Sequence, residues 1–122
     1  MPRHVLEESL LHPAIRDKVA NLHADIVHNV RSAAASNPVL VVGLAWNAPG
    51  RAARRALKAA GVSFQYLEFG NYLSGWRRRN ALKMWTGWPT FPMVFVKGQL
   101  VGGASDVQRL IDSGELKRLL GQ

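Results

Sequence analysis

The chain patterns as an α/β domain, with a mixed four-stranded sheet flanked by helices and an extra helix ahead of the first strand. Three observations point there. Short apolar, β-branched runs alternate with helical stretches in the order α-β-α-β-α-β-β-α. A helix separates the first two strands, as in a parallel βαβ unit. Only Lys97-Gly98-Gln99 separates the last two, which is a hairpin signal. Hydrophobic residues make up 48% of the 122, enough for the core of one ordinary domain.

Each element has its own signal. Residues 1–37 read as helix. Pro13 suits a first helical position, and Ile15, Val19, Leu22, Ile26 and Val30 recur at helical spacing as one stripe. Ala33 to Ala35 continue it, and Asn37-Pro38 stops it, because the residue before a proline is pushed out of the helical region. The expected division is a helical extension over 1–37 and a domain over 38–122. The stripe suits packing on that domain; a homodimer through the N-terminal helix is the alternative.

Val39-Leu40-Val41-Val42 suits a strand buried on both faces. A loop from Leu44 to Gly50 leads into a helix over 51–60. Ala53, Ala56, Leu57 and Ala60 form its apolar face, and Arg51, Arg54, Arg55 and Lys58 lie opposite. Gly61 suits the left-handed residue that closes such a helix. Residues 63–67 read as a strand and 75–86 as an amphipathic helix. Met93 to Val96 and Leu100-Val101 form the hairpin, and Gly102-Gly103 breaks the chain. Asp106 to Ile111 and Glu115 to Leu120 close it as helix.

Composition narrows the chemistry. The net charge of +8 favours anionic partners without selecting one. No apolar run approaches the roughly 20 residues that span a bilayer, and no membrane partner is expected. The segment after Met1 is mixed and charged, without the apolar core of a secretory leader, so a cytoplasmic location is the expectation. There is no cysteine. That removes disulfides, thiolate nucleophiles and thiolate metal ligands together. His4, His12, His23 and His28 form no metalloprotease-type pattern and read as surface or packing residues, so no metal site is expected.

From Val39 onward several segments carry a resemblance. Gly61-Val-Ser-Phe-Gln65 fits a helix-to-strand junction. Trp88-Pro-Thr-Phe-Pro92, Val94-Phe-Val-Lys-Gly98 and Gly102-Gly103 follow in order, and Ser113 to Leu120 closes the series. In this order and spacing the chain resembles the glutaredoxins and their thioredoxin-like fold. The Trp-Pro-Thr-x-Pro form, with the long helix before the first strand, is nearest to the monothiol branch. The resemblance fails at one place. Glutaredoxins carry C-P-x-C or C-G-F-S between the first strand and its helix, where this chain reads Trp46-Asn-Ala-Pro-Gly-Arg51. Asn47 or Ala48 stands where the nucleophilic cysteine belongs, the register being open by one residue. Neither is a nucleophile. The family's upstream lysine is also missing, Leu44 and Ala45 occupying that stretch.

The resemblance implies a glutathione-like ligand held by Arg79, Thr90, Phe91, Pro92, Gly103, Ala104, Ser105 and Asp106. Arg79 has the spacing of the family arginine that meets the glycine carboxylate, and a guanidinium fork suits that task. Its alternative is one member of a solvated Arg77-Arg78-Arg79 run. Thr90-Phe91-Pro92 aligns with the cis-proline loop, whose backbone pairs with an extended ligand. Gly102 to Asp106 aligns with the turn that holds the γ-glutamyl end. Free N–H groups there suit a carboxylate and Asp106 suits an ammonium; the plainer role is that Ser105 or Asp106 caps the last long helix. The function so implied is a glutathione- or peptide-binding pseudoenzyme with no resident cofactor. Thiol–disulfide oxidoreductase activity and cluster carrying are not expected. Two alternatives stay open. One is a glutathione-dependent transferase, with Asn47 as donor to the ligand's thiolate. The other is a basic module for an acidic protein or nucleic acid, drawn from Trp76 to Arg79, Lys83, Trp85 and Trp88, with nucleic acid the less favoured.

Overall fold

The computed structural model describes residues 2–122. A single 3-10 turn, Glu8–Leu10, precedes six α-helices: α1 Pro13–Asn21, α2 Ala24–Ser36, α3 Ala48–Ala59, α4 Trp76–Thr86, α5 Ala104–Asp112 and α6 Glu115–Leu119. Four strands, β1 Val39–Gly43, β2 Gln65–Glu68, β3 Met93–Val96 and β4 Gln99–Gly102, form one sheet in the order β2-β1-β3-β4. β1 runs parallel to β2 and antiparallel to β3, so Val41 stands opposite Tyr66 on one side and Val94 on the other. The mixed four-stranded sheet expected from the sequence is therefore present. The hairpin turns through Lys97 and Gly98, both at positive φ, which matches the right-handed twist of the paired strands.

Alternation along the central strands divides the core in two. Leu40, Val42, Met93 and Phe95 face one side, where they meet Ile26, Val30 and Ala34 of α2 and Ala81 and Leu82 of α4. Val39, Val41, Val94 and Val96 face the other, where they meet Leu57, Val107 and Leu116 from α3, α5 and α6. β1 is buried at every position because helices cover both faces.

The N-terminal stripe does not hold as one helix. It breaks at Leu22-His23, with His23 in the left-handed conformation at φ 47°. Beyond that corner Ile26 and Val30 are fully buried; before it Ile15, Val19 and Leu22 remain 42%, 51% and 52% exposed. A helix corner re-aims whatever follows it, so residues at continuous helical spacing face different surroundings. The expected line between 37 and 38 runs between α2 and β1, and packing across it is continuous, since α2 belongs to the core. Among the described residues no helix is long and apolar enough to cross a membrane.

α3 starts three residues earlier than its amphipathic pattern indicates, at Ala48 rather than 51. Pro49 occupies the first turn, where its missing N–H costs nothing. On the finished helix Ala53 and Leu57 are fully buried, while the Arg54 guanidinium lies over the Tyr66 ring at 3.9 Å. β2 is shifted to Gln65–Glu68, and α5 begins two residues before the expected Asp106.

Candidate functional site

The end of β1, the start of β3 and the starts of α3 and α5 converge on one groove of about 680 Å³. That volume suits a small peptide-sized ligand. Its lining contains Arg79, Thr90, Phe91, Pro92, Gly103, Ala104, Ser105 and Asp106, all eight positions implied by the resemblance, together with Asn47. Ala48 does not line it. Leu44, where a lysine was missing, makes an apolar patch of wall.

Asn47 is the N-cap of α3. Its Oδ1 accepts from the Gly50 N–H at 2.7 Å, satisfying one of the orphan donors of the first turn. Gly50 makes room for this, since a Cβ there would stand 2.9 Å from Oδ1. The bond also fixes the amide: with Oδ1 on a backbone N–H, Nδ2 faces the groove side, where it donates to the Tyr72 hydroxyl at 3.0 Å. The side chain at the lost nucleophile position thus caps a helix and holds a phenol.

Arg79 leaves the charged run that contains it. Arg77 and Arg78 are exposed, and Arg78 pairs with Asp25 at 2.7 Å, whereas Arg79 is only 6% exposed. Its Nη1 donates to the carbonyls of Phe69 at 3.0 Å and Ser74 at 2.6 Å. These bonds clamp the β2–α4 loop, with Asn71 and Ser74 bridging beneath and Asn71 Oδ1 accepting from the Leu73 N–H. Gly70, at φ +69°, is required here, because a Cβ would meet the Ser74 carbonyl at 2.6 Å. Burial pushes the Arg79 guanidinium below its usual value, and nearby Tyr72 opposes that shift. The Nε–Nη2 edge has no acceptor among the described residues, so one fork remains for a carboxylate.

The Phe91–Pro92 peptide bond is cis. Among the described residues the backbone groups of Thr90 and Phe91 find no hydrogen-bond partner, and they border the groove. Behind them Trp88 Nε1 is buried without a partner among the described residues. At the far end α5 begins at Ala104, with Gly103 as its N-cap residue. Neither Ser105 nor Asp106 is the N-cap, as the sequence had suggested. Gly102, at φ +115°, turns the chain into the helix early, and Asp106 in the first turn reaches back to the Gly103 N–H at 2.9 Å. The Ser105 hydroxyl is exposed and makes no hydrogen bond, and the first-turn N–H groups of Ala104 and Ser105 have no acceptor. Asp106 Oδ1 has only the exposed Arg109 beyond it, at 3.8 Å.

Six further lining residues were not among the expected ligand contacts: Leu44, Pro49, Tyr72, Lys83, Trp88 and Pro89. Lys83 was findable, since it lies one turn beyond Arg79 on the same helix face. Its Nζ sits 5.8 Å from the Phe91 ring centroid. Tyr72 carried no signal, because it belongs to a turn-rich loop without periodicity. Among the described residues no group of three His, Asp or Glu side chains is placed to hold a metal ion.

A sheet of this order with a ligand-sized groove beside a cis-proline loop defines a thioredoxin-like protein, here one without any thiol. The glutaredoxin family model matches residues 49–101. A glutaredoxin-like protein of Dictyostelium discoideum is 40% identical over 102 residues, covering 84% of this chain and 83% of that one. The chain belongs to the glutaredoxin family. Monothiol glutaredoxin-S11 of Oryza sativa subsp. japonica is 45% identical over 67 residues, 55% of this chain but 13% of the rice protein. Among solved structures, oxidized glutaredoxin 2 from Chlamydomonas reinhardtii superimposes with a TM-score of 0.70 at 27% identity, covering 81% of this chain and 94% of that one. A buckwheat glutaredoxin–glutathione complex superimposes at 0.73 and 24% identity, over 83% and 92% of the two chains; at that identity it speaks to the fold alone.

Proposed function

We propose that the groove binds glutathione, or an extended peptide segment of similar chemistry, and that the protein performs no thiol–disulfide exchange with a side chain of its own. One observation carries the reading: all eight expected ligand positions line a single groove whose unspent hydrogen-bonding groups match such a ligand. Glutathione is an extended peptide with a carboxylate at each end and an ammonium beside one of them. Arg79 offers its free fork to one carboxylate, and Lys83 supplies a second cation in place of the missing lysine. The unengaged Thr90 and Phe91 backbone pairs with the middle of the peptide as a strand would. The first-turn N–H groups of α5 receive the other carboxylate, and Asp106 accepts from the ammonium. When bound, glutathione supplies the one thiol of the site.

Titration calorimetry with reduced glutathione tests this. Saturable heat is expected, and Lys83→Gln is expected to weaken binding about threefold to tenfold by removing one charge-assisted contact. No heat up to millimolar ligand removes the glutathione reading.

A further inference from the structure

The side chain at the lost nucleophile position leaves one unexplained group, the Tyr72 hydroxyl. We propose that Tyr72 Oη–H is the donor to the thiolate of bound glutathione, and that Asn47 positions it, so that the groove activates the ligand's own thiol toward a soft carbon electrophile. The inference rests on the glutathione reading above and adds a reaction to it.

The Gly50 N–H fixes Asn47 Oδ1, so Nδ2 must face Tyr72 and can only donate. The phenol oxygen therefore accepts, and its own proton is not used in that bond. No protein acceptor takes that proton among the described residues. Tyr72 is 61% exposed and lines the groove, so its proton is available to a ligand. Asn47 is 7% exposed, with Oδ1 on the Gly50 N–H and one Nδ2 hydrogen on Tyr72, so the exposed phenol is the more accessible donor. The donor expected at Asn47 thus moves to the residue that Asn47 holds.

The placement of Tyr72 is built rather than incidental. A buried arginine clamps the carbonyls on both sides of its loop, and a left-handed glycine admits the clamp. Two walls of the groove match the two ends of the ligand: Arg79 and Lys83 on α4, and the start of α5. The ligand's thiol stands on its middle residue, between those two ends, and Asn47 and Tyr72 line the same groove, Tyr72 on the loop that Arg79 clamps. No side chain there competes as nucleophile, because the chain has no cysteine.

The step balances without an oxidant. The thiol releases its proton to solvent, and the thiolate accepts the Tyr72 hydrogen bond. On an activated aryl chloride, the sulfur–carbon bond forms as the carbon–chlorine bond breaks and chloride leaves with the electron pair. The products are the thioether, a proton and chloride.

The test uses the full chain, reduced glutathione and chlorodinitrobenzene, with two readouts. The ultraviolet absorbance of thiolate against pH reports the thiol pKa of bound glutathione, and thioether formation reports the rate. The native protein is expected to lower that pKa and to exceed the uncatalysed rate. Tyr72→Phe, an exposed change, is expected to lose the pKa shift, to slow conjugation about tenfold to hundredfold, and to weaken calorimetric binding only at a pH where the bound thiol is ionised, with binding of the protonated thiol at low pH retained. Asn47→Asp keeps an oxygen to cap α3 but turns an acceptor toward Tyr72. It is expected to fold with unchanged stability and to lose the rate as Tyr72→Phe does. Binding without a pKa shift, or equal rates in native and Tyr72→Phe proteins, overturns the proposal while glutathione binding stands. Absence of binding takes down both.

Discussion

Asn47 shows how much one side chain settles at the residue scale. Asn47→Ala removes the acceptor for the Gly50 N–H and the support for Tyr72 together. It is expected to cost about 0.5–2 kcal/mol, read as a lower midpoint in urea with unchanged slope. Tyr66 is pushed up to about 12 from an ordinary 10.0, by burial first and then by its hydrogen bond to the Glu68 carboxylate, which outweigh the opposing Arg54 charge. A folded-state value above the unfolded one gives stability that is full below about pH 10 and lost as pH rises through about 12, because the unfolded chain releases the proton first. Alkaline spectrophotometric titration is expected to show a tyrosine phase near pH 12, and Tyr66→Phe is expected to remove that phase and flatten the alkaline loss of stability. From sequence alone the residue scale was the least legible. The eight expected groove positions came from a resemblance, whereas Tyr72 and the Arg79 clamp depend on a loop with no periodic pattern to read.

At the scale of elements, local pattern placed every strand and misjudged where several helices begin. Helical spacing reports which residues share a face, not whether the helix runs straight. The stripe from Ile15 to Val30 kept its spacing and lost its common partner at the His23 corner. Ile26→Ala is therefore expected to cost about 2–5 kcal/mol, as for a fully buried aliphatic side chain. Val19→Ser, on the far side of the corner, is expected to stay within about 0.5 kcal/mol. Chemical denaturation of the two variants side by side checks both values, and equal losses would mean that α1 is buried in solution. The early start of α3 has the same origin: Pro49 and the Asn47 cap define it, and neither contributes to an amphipathic pattern.

For the whole molecule, the family resemblance and the missing thiol pull apart, and chemistry separates them. A fold does not carry activity with it. The purified protein is expected to add nothing to the rate at which glutathione alone reduces a mixed disulfide, since no side chain supplies sulfur for exchange. A rate above that background would overturn the reading of a thiol-free groove. The amino-acid order was sufficient for the mixed sheet, because the unbroken apolar runs of β1 and β3, the apolar face of α3 and the short turn before β4 are local signals. It was sufficient too for the loss of thiol chemistry, which needs no geometry. Which arginine of three turns inward, which tyrosine faces the groove and which end of the Asn47 amide meets it are contacts between residues far apart in the chain. Their energies come from burial and from hydrogen bonds that exist only after the sheet has brought those loops together.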